Sequence, residues 1–467
     1  MVRGRGKTTQ FLLAGASVVG LLATGAPAAN AQDVQQLEAQ MRAMQAQMKE
    51  LQRQVQEAKS AAASAQGGSS ENLDLKVKWK GAPELSSSDG KFKFKVRGRL
   101  NVDYNGIDQD EPITGDPDVS AVELRRARIG VEGVVFYDVA YKFEVDFAGD
   151  GTAVKDAYLE YTGLPVDITV GNFKPYNSLE ELMSANYITF MERAAFVEAF
   201  ELDRLIGAGL SYDHNKHWTL AAGVFATTPE SDQVTFYEDG TTFSSRVTVA
   251  PINEERRVVH LGASVRHRDA AGNPRDGIAE NLFRYRARGA DLHLADRFIA
   301  TPFIGEADTF WGLEGAIVLG SFSIQSEYSQ NKVDVASSIA NVSPTYDGWY
   351  VDASYFLTGE TRPYSDGVFG RVKVNNPVFG GSGGWGAWQI AGRYDVLDLS
   401  DQAAAITAGG VVDCAACGEQ KTWLVGVNWY LNDYTRLMLN VNQSEIEGGV
   451  NDGAEITGVG MRAQIDW

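Results

Sequence analysis

Cations recur at every second position in several stretches of this chain. Lys91, Lys93, Lys95, Arg97 and Arg99 form one row, and Arg284, Arg286 and Arg288 form another. Arg126 and Arg128 make a shorter row, with Arg125 in the opposite phase at a strand end, and His260, Ser264, Arg266 and Arg268 a looser one. A spacing of two puts the members of each row on one face of a β-strand. Like charges held side by side repel where the dielectric is low, so such rows suit a surface that attracts something negative. Guanidinium forks match phosphate and carboxylate oxygens, and ammonium groups add point charge. The alternative is a structural network in which Glu123, Glu132, Glu144, Asp146, Asp156 and Glu160 neutralise the cations. No Ser-His-Asp, metal-ligand or Gly-rich phosphate pattern stands in a suitable context, and none of the five His residues adjoins a nucleophile pattern. An enzyme is therefore the least expected class, and no cofactor or metal is called for.

The residues between the cations are apolar. Phe92, Phe94, Val96, Leu100, Val102 and Tyr104 share the face opposite the first row. Val139, Tyr141, Phe143, Val145 and Phe147 alternate with Lys142, Glu144 and Asp146. The chain ends on Val459, Met461, Ala463, Ile465 and Trp467 against Arg462, Gln464 and Asp466. Sixteen such segments are read along the chain: 91–105, 122–136, 138–148, 154–163, 166–173, 205–213, 217–227, 257–268, 280–294, 309–319, 321–332, 346–357, 385–398, 420–431, 434–445 and 456–467. Tight connections such as Tyr137-Asp138, Gly320 and Asn432-Asp433 alternate with longer polar ones, although 269–279 and 358–384 are long where a turn is due. An even strand number with short turns at one end and long loops at the other is the pattern of an outer-membrane barrel. Tyr and Trp near strand ends (Tyr104, Tyr161, Trp218, Trp311, Trp349, Tyr355, Trp429) suit a bilayer interface better than they suit a soluble sandwich. A cation facing lipid at mid-bilayer costs about 2–4 kcal/mol, so the charged face must be the lumen. The expected fold is all-β: a 16-stranded antiparallel transmembrane β-barrel over 91–467 with an N-terminal α-helical coiled-coil segment.

The ends set the compartment. Arg3, Arg5 and Lys7 precede an apolar run from Phe11 to Ala23 and a small-x-small site at Ala29-Asn30-Ala31, which reads as a signal peptide over 1–31. That apolar core is about 13 residues, short of the roughly 20 that span a bilayer as a helix. In 32–60, Val34, Leu37, Met41, Met44, Met48, Leu51, Val55 and Ala58 step by threes and fours, the spacing of a short coiled coil that needs an oligomeric body to hold it together. A solvated single helix is the alternative. Residues 61–90 read as a linker, in which Leu73 to Trp79 alternates weakly, as a short strand or a plug-like segment would, and is left unplaced. Removing three of the 42 basic residues with the signal leaves 39 against 61 acidic, a net of −22, which argues against nucleic acid as a partner. Cys414 and Cys417 are expected to form a local disulfide, since neither a redox-motif context nor further zinc ligands accompany them.

A solvated surface loop is one reading of Asn172 to Asp203; the other is that this long, helix-tolerant segment folds into the lumen over about 174–203, with Lys174, Asn186 and Arg193 at its narrowing. Together with Arg125-Arg-Ala-Arg-Ile-Gly, Gly171-Asn-Phe-Lys-Pro, Thr189-Phe-Met-Glu-Arg, Phe356-Leu-Thr-Gly-Glu-Thr-Arg-Pro-Tyr364, Gly386-Ala-Trp-Gln-Ile-Ala-Gly-Arg-Tyr394 and Trp423-Leu-Val-Gly-Val-Asn-Trp-Tyr-Leu-Asn432, it resembles the phosphate-selective porin O and P family. The resemblance covers most of 91–467. It implies a trimeric, 16-stranded anion porin in the bacterial outer membrane, with the N-terminal segment in the periplasm. It also implies an arginine ladder including Arg284, Arg286 and Arg288, with Arg125, Arg126 and Arg193 near the narrow point. The chain departs from phosphate-specific members at Ser184-Ala-Asn-Tyr, where they carry a lysine. The expected function is passive diffusion of anions, phosphate or polyphosphate first, through a lumen lined by these Lys and Arg. The alternatives are a charge-balanced or differently selective porin, and a tether whose coil reaches the cell wall.

Overall fold

A strand with one apolar and one polar face needs two different surroundings. The computed structural model provides them in an unusual order, with the apolar side outermost. It describes residues 75–109, 118–149, 151–213, 216–227, 240–271, 282–380 and 383–467, together with isolated helical positions at 46, 49, 50 and 53. The signal peptide, nearly all of the coiled coil and the first part of the linker lie outside the described residues.

The first strands are β1 (Leu75–Lys80), β2 (Ala82–Ser87), β3 (Lys93–Gln109), β4 (Val119–Val135), β5 (Val139–Asp146), β6 (Ala153–Tyr161) and β7 (Asp167–Phe173). Next come β8 (Leu205–Tyr212), β9 (Trp218–Ala226), β10 (Thr241–Glu254), β11 (Arg257–Asp269), β12 (Arg286–Ala287), β13 (Ile299–Ala300), β14 (Gly305–Leu319) and β15 (Phe322–Val335). The last are β16 (Thr345–Phe356), β17 (Tyr364–Ser365), β18 (Val368–Phe369), β19 (Ala387–Asp398), β20 (Glu419–Asn432), β21 (Thr435–Glu447) and β22 (Glu455–Asp466). Sixteen of them, β3–β11, β14–β16 and β19–β22, pair antiparallel in chain order. β22 returns to β3, from Ile456 opposite Gln109 to Asp466 opposite Arg99, and closes the barrel. Closure leaves these strands no free edge.

Outward side chains are apolar and exposed, as at Val122, Ile129, Leu159, Val170 and Val425. Inward ones are polar and buried, and among the largest fully buried side chains are Arg266, Arg393, Arg436 and Arg462. Aromatic pairs sit toward both ends of the wall. Tyr394 and Trp423 lie 4.3 Å apart toward one end, and Trp388 and Trp429 stack at 4.9 Å toward the other.

Two corrections follow for the strand reading. Residues 241–254 form a wall strand that the sequence reading left out. Its outward Phe243, Val247 and Val249 alternate with Thr242, Ser244, Arg246 and Thr248, and a bulge between Val249 and Ile252 absorbs Pro251. Thr and Ser dilute the hydrophobic signal, and Pro argues against a strand interior. Conversely, 280–294 is no wall strand. Phe283, Tyr285 and Ala287 are buried, in a core inside the barrel; Arg286–Ala287 pairs with β13, and Phe283 makes a single bridge to Gly305. Alternation there is real, but its apolar face meets protein instead of lipid. The count of sixteen survives because one omission offsets one false strand. The connection from β11 to β14 then starts at the long-loop end, so its length no longer misfits. Residues 357–386 remain a long connection at the turn end.

Residues 75–87, read as linker, form the hairpin β1–β2, and β2 pairs with the first residues of β3 (Leu85 opposite Phe94). Among the described residues, the connections that fold inward include 174–204 and 282–304 from the loop end, and 357–380 from the turn end. Phe369 of the last packs with Leu179, Met183 and Ile188 of the first, and Tyr364 hydrogen-bonds His260 at 2.7 Å. The wall is shaped to receive them. A Cβ on Gly458 would lie 2.4 Å from Leu292, and one on Gly460 2.8 Å from the same side chain, so these inward positions stay bare.

Candidate functional site

The inserted segments leave a cavity of about 1900 Å³ beside β3–β8. Its lining runs from Arg97 to Arg297, and no residue from 305 onward touches it. From the wall, β3 contributes Arg97 and Arg99, β4 contributes Arg125, Arg126 and Arg128, β5 Lys142, β6 Lys155 and β11 Arg268. The first inserted segment adds Lys174, Arg193 and Arg204, and the second adds Arg284, Arg286, Arg288 and Arg297. Against these fifteen cations stand ten acids: Glu123, Asp146, Asp156, Glu160, Glu181, Glu192, Glu198, Glu201, Asp203 and Asp291. The whole chain has a formal charge of −19, so the cavity reverses the sign of the molecule.

Two β-bulges add to the row. Between β3 and β4 the register jumps, with Asn101 opposite Arg126 and Val102 opposite Leu124, so Arg125 is an extra, unpaired residue. A second jump, between β5 and β6, makes Lys155 the extra residue beside Asp156. A bulge breaks strict alternation and lets two neighbours share a face. Arg125 therefore lies in mid-strand, not at a strand end, and joins Arg126 in the lumen. A regular period of two hides both residues.

Most wall cations are paired. Arg128 donates to Asp146 at 2.6 Å and Glu144 at 3.1 Å. Arg99 and Arg97 each reach Glu144 at 3.4 Å, and Arg97 also pairs with Glu132. Lys142 and Arg204 share Asp156, each at 2.7 Å. Such pairs rigidify the lining and lower its net charge. Arg125 grips Glu192 of the inserted segment with two bonds, 2.9 and 3.0 Å, and Arg126 adds one at 3.3 Å. Burial would raise the Glu192 carboxyl, but Arg125, Arg126 and Arg462 hold it well below the usual carboxylate range.

The second inserted segment is different. Arg288 and Arg297 converge on Glu198, the latter at 2.8 Å. Among the described residues Arg284 and Arg286 make no ion pair, and Arg284 lies over the Phe303 ring at 4.5 Å. Burial, then repulsion by Arg297 and Arg284, lowers the pKa of Arg286, which marks a crowd of like charge. This cluster is the least compensated part of the lining.

The other sequence-derived residues fall elsewhere. Lys91 precedes β3 and pairs with Asp89 at 3.4 Å. Lys93 pairs with Glu84 of the hairpin at 3.6 Å, and Lys95 lies 3.8 Å from Glu132. None of the three lines the cavity. Asn186 is buried against β22, its carbonyl accepting from Gln464 at 3.2 Å. Lys174 and Arg193 do line the cavity but turn to Glu181, at 2.8 and 3.0 Å. Burial pushes the Lys174 ammonium down to about 7, so its charge is weak near neutrality. Of the β11 row, Arg268 reaches the cavity, while His260 and Arg266 are buried on Glu314 and Asp308, at 3.1 and 3.2 Å. Lys155, Arg204 and Arg297 were missed by the sequence reading. Lys155 sits at a bulge, and the other two lie in connections where no period applies. Cys414 and Cys417 are bonded to each other, with Cα atoms 5.2 Å apart.

A closed barrel with lipid-type residues outside, loops folded inward and an ion-lined cavity defines an outer-membrane porin. Comparison with known proteins carries this further. Residues 94–467 match the model of the family described as phosphate-selective porin O and P, and the chain belongs to that family. It is 31% identical over 398 residues to an uncharacterized protein of Caulobacter vibrioides, covering 83% of this chain and 75% of the relative. It is 29% identical over 432 residues to Porin O of Pseudomonas aeruginosa, covering 88% of this chain and 96% of that protein. Among solved structures it is similar to the anion-selective porin from Comamonas acidovorans, with TM-score 0.52, 11% identity, and coverage of 80% of this chain and 100% of that one. The outer membrane channel DcaP of Acinetobacter baumannii gives TM-score 0.50 at 11% identity, covering 82% and 99%. These structural likenesses establish the fold. The family and the fold point to a channel, with no catalytic constellation implied.

Proposed function

We propose that this outer-membrane porin is a passive channel for anions, with phosphate or polyphosphate as solute, and that its path follows Arg97, Arg99, Arg125, Arg126, Arg128 and the row Arg284, Arg286, Arg288. The observation that carries the reading is the surplus of cations over acids in the cavity of an acidic chain. Such a surplus focuses a positive potential in a low-dielectric enclosure and raises the local concentration of anions. Several sites in series attract without trapping, which conduction requires. The family description names phosphate, and the Comamonas neighbour is named anion-selective. Both support the reading. Lys91, Lys93 and Lys95, off the cavity wall at the turn end, would meet the solute only at that mouth.

In outer-membrane barrels the short turns face the periplasm. The hairpin β1–β2 lies at that end, and the N-terminal segment is proposed to be periplasmic. Its heptad spacing fits a trimer of barrels joined by a short coil.

The test is the reversal potential of the purified porin in a planar bilayer under a salt gradient. An anion-selective potential is expected, and a cation-selective one defeats the proposal. Replacing Arg284, Arg286 and Arg288 together by Ala should lower phosphate conductance by about tenfold, the equivalent of about 1.4 kcal/mol. Unchanged conductance removes the row from the path.

A further inference from the structure

We infer that Glu192 is a specificity-determining residue: its carboxylate occupies the place on Arg125 and Arg126 that a passing oxyanion would take, and so sets how tightly the channel holds its solute. This rests on the anion-channel reading and adds a resident competitor to it.

Three guanidiniums from two parts of the wall meet on one side chain of the inserted segment. Arg462 donates to Glu192 at 2.7 Å and to Asp103 at 2.6 and 2.7 Å, while Arg125 clasps Glu192 side-on with two bonds. Glu123, paired with His293 at 2.7 Å, is a third acid close to Arg125. Arg126 is 3% exposed, and its Nη1 has no hydrogen-bond partner. The cluster keeps one idle donor next to the cavity, which Arg125, Arg126 and Glu192 all line.

A carboxylate and a tetrahedral oxyanion offer a guanidinium fork the same pair of oxygens. Glu192 therefore mimics the solute. Bare arginines would hold phosphate or sulfate too long for conduction, whereas a tethered rival makes every occupancy brief. A divalent oxyanion can displace the rival because it brings two charges and several acceptors. A halide brings one charge and no fork.

The experiment uses the full chain in a planar bilayer at pH 8, with chloride current titrated by inorganic phosphate and, separately, by sulfate. Glu192→Gln keeps the shape and removes the charge. Half-inhibition by phosphate should then need about tenfold less anion, as expected for losing one charged competitor. Half-inhibition within about twofold of the parent overturns the inference. Glu192→Asp keeps the charge but shortens the reach, so it should shift inhibition the same way by about threefold. If the Gln form fails to insert, the Asp form decides, and no shift in it overturns the inference. Uptake of a neutral sugar into liposomes should stay at the parent rate. Faster uptake means that the inserted segment has moved, which also overturns it. A cation-selective parent would sink the channel reading itself, whereas an anion-selective parent with unmoved variants sinks only the role of Glu192.

Discussion

The two halves of the wall obey one pattern and meet different fates. Strands β3–β7 turn charged side chains onto an open cavity, whereas β14–β22 turn theirs onto inserted protein. On the first half the inward residues are largely Arg, Lys, Glu and Asp. On the second they include Gly348, Gly426, Gly458 and Gly460, with Ser, Asn and Gln between them. Small and neutral inward residues make a seat. A Cβ on Gly348 would come 2.5 Å from Phe196 of the first inserted segment. The few charges of the seated half act as clamps. Glu327 accepts from the backbone N–H of Leu179 and Glu180 at 2.9 and 2.8 Å, and Asp395 accepts from that of Ala195 at 3.0 Å. Asn428 and Arg436 donate to the carbonyls of Thr189 and Ile188, at 2.8 and 2.9 Å. Arg393 bridges Glu180 and Asp352 in full burial. The lesson is that the same inward charge is buried against protein on one side and open to the cavity on the other, and what decides is whether a loop covers it.

The largest effect expected from this contrast is at Arg393. Arg393→Ala leaves Glu180 and Asp352 buried without their counter-ion, at a cost of about 3–5 kcal/mol. The guanidinium midpoint for unfolding in detergent should fall sharply, and conductance of any surviving fraction should rise as the inserted segment loosens. A variant as stable as its parent would show that the clamp is dispensable. Next is Gly458→Val, which overfills the seat of Leu292 at about 1–3 kcal/mol and should displace the row Arg284 to Arg288. Reduced anion selectivity alongside a lower midpoint is the expected pair of outcomes. Last is Arg97→Ala on the open half. Glu144 keeps Arg99 and Arg128, and Glu132 is partly exposed, so no acid is left buried alone and the loss should be only about 1–2 kcal/mol. Its effect should appear in conductance instead, and an unfolding midpoint that falls as far as for Arg393→Ala would erase the distinction between the halves.

Much of the barrel was legible in the chain, because two-residue alternation is a local property that lipid on one side enforces strand by strand. The terminal strand shows it from Val459 to Trp467, and β3 from Phe94 to Tyr104. The row at 284 misled for the same reason. Phe283, Tyr285 and Ala287 have an apolar face, and a period cannot say whether oil or protein meets it. Arg125 and Lys155 were harder still, since a bulge is a mismatch between two strands and leaves no mark in either one alone.

By itself, then, the sequence determined a closed, inside-out barrel rich in cations at alternate positions, since side-chain direction along a strand follows from backbone geometry. Only the tertiary structure decided which cations line the open cavity. That depends on where distant connections settle, and Glu192 on Arg125, or Leu292 over Gly458, are contacts between residues far apart in the chain that no local pattern encodes.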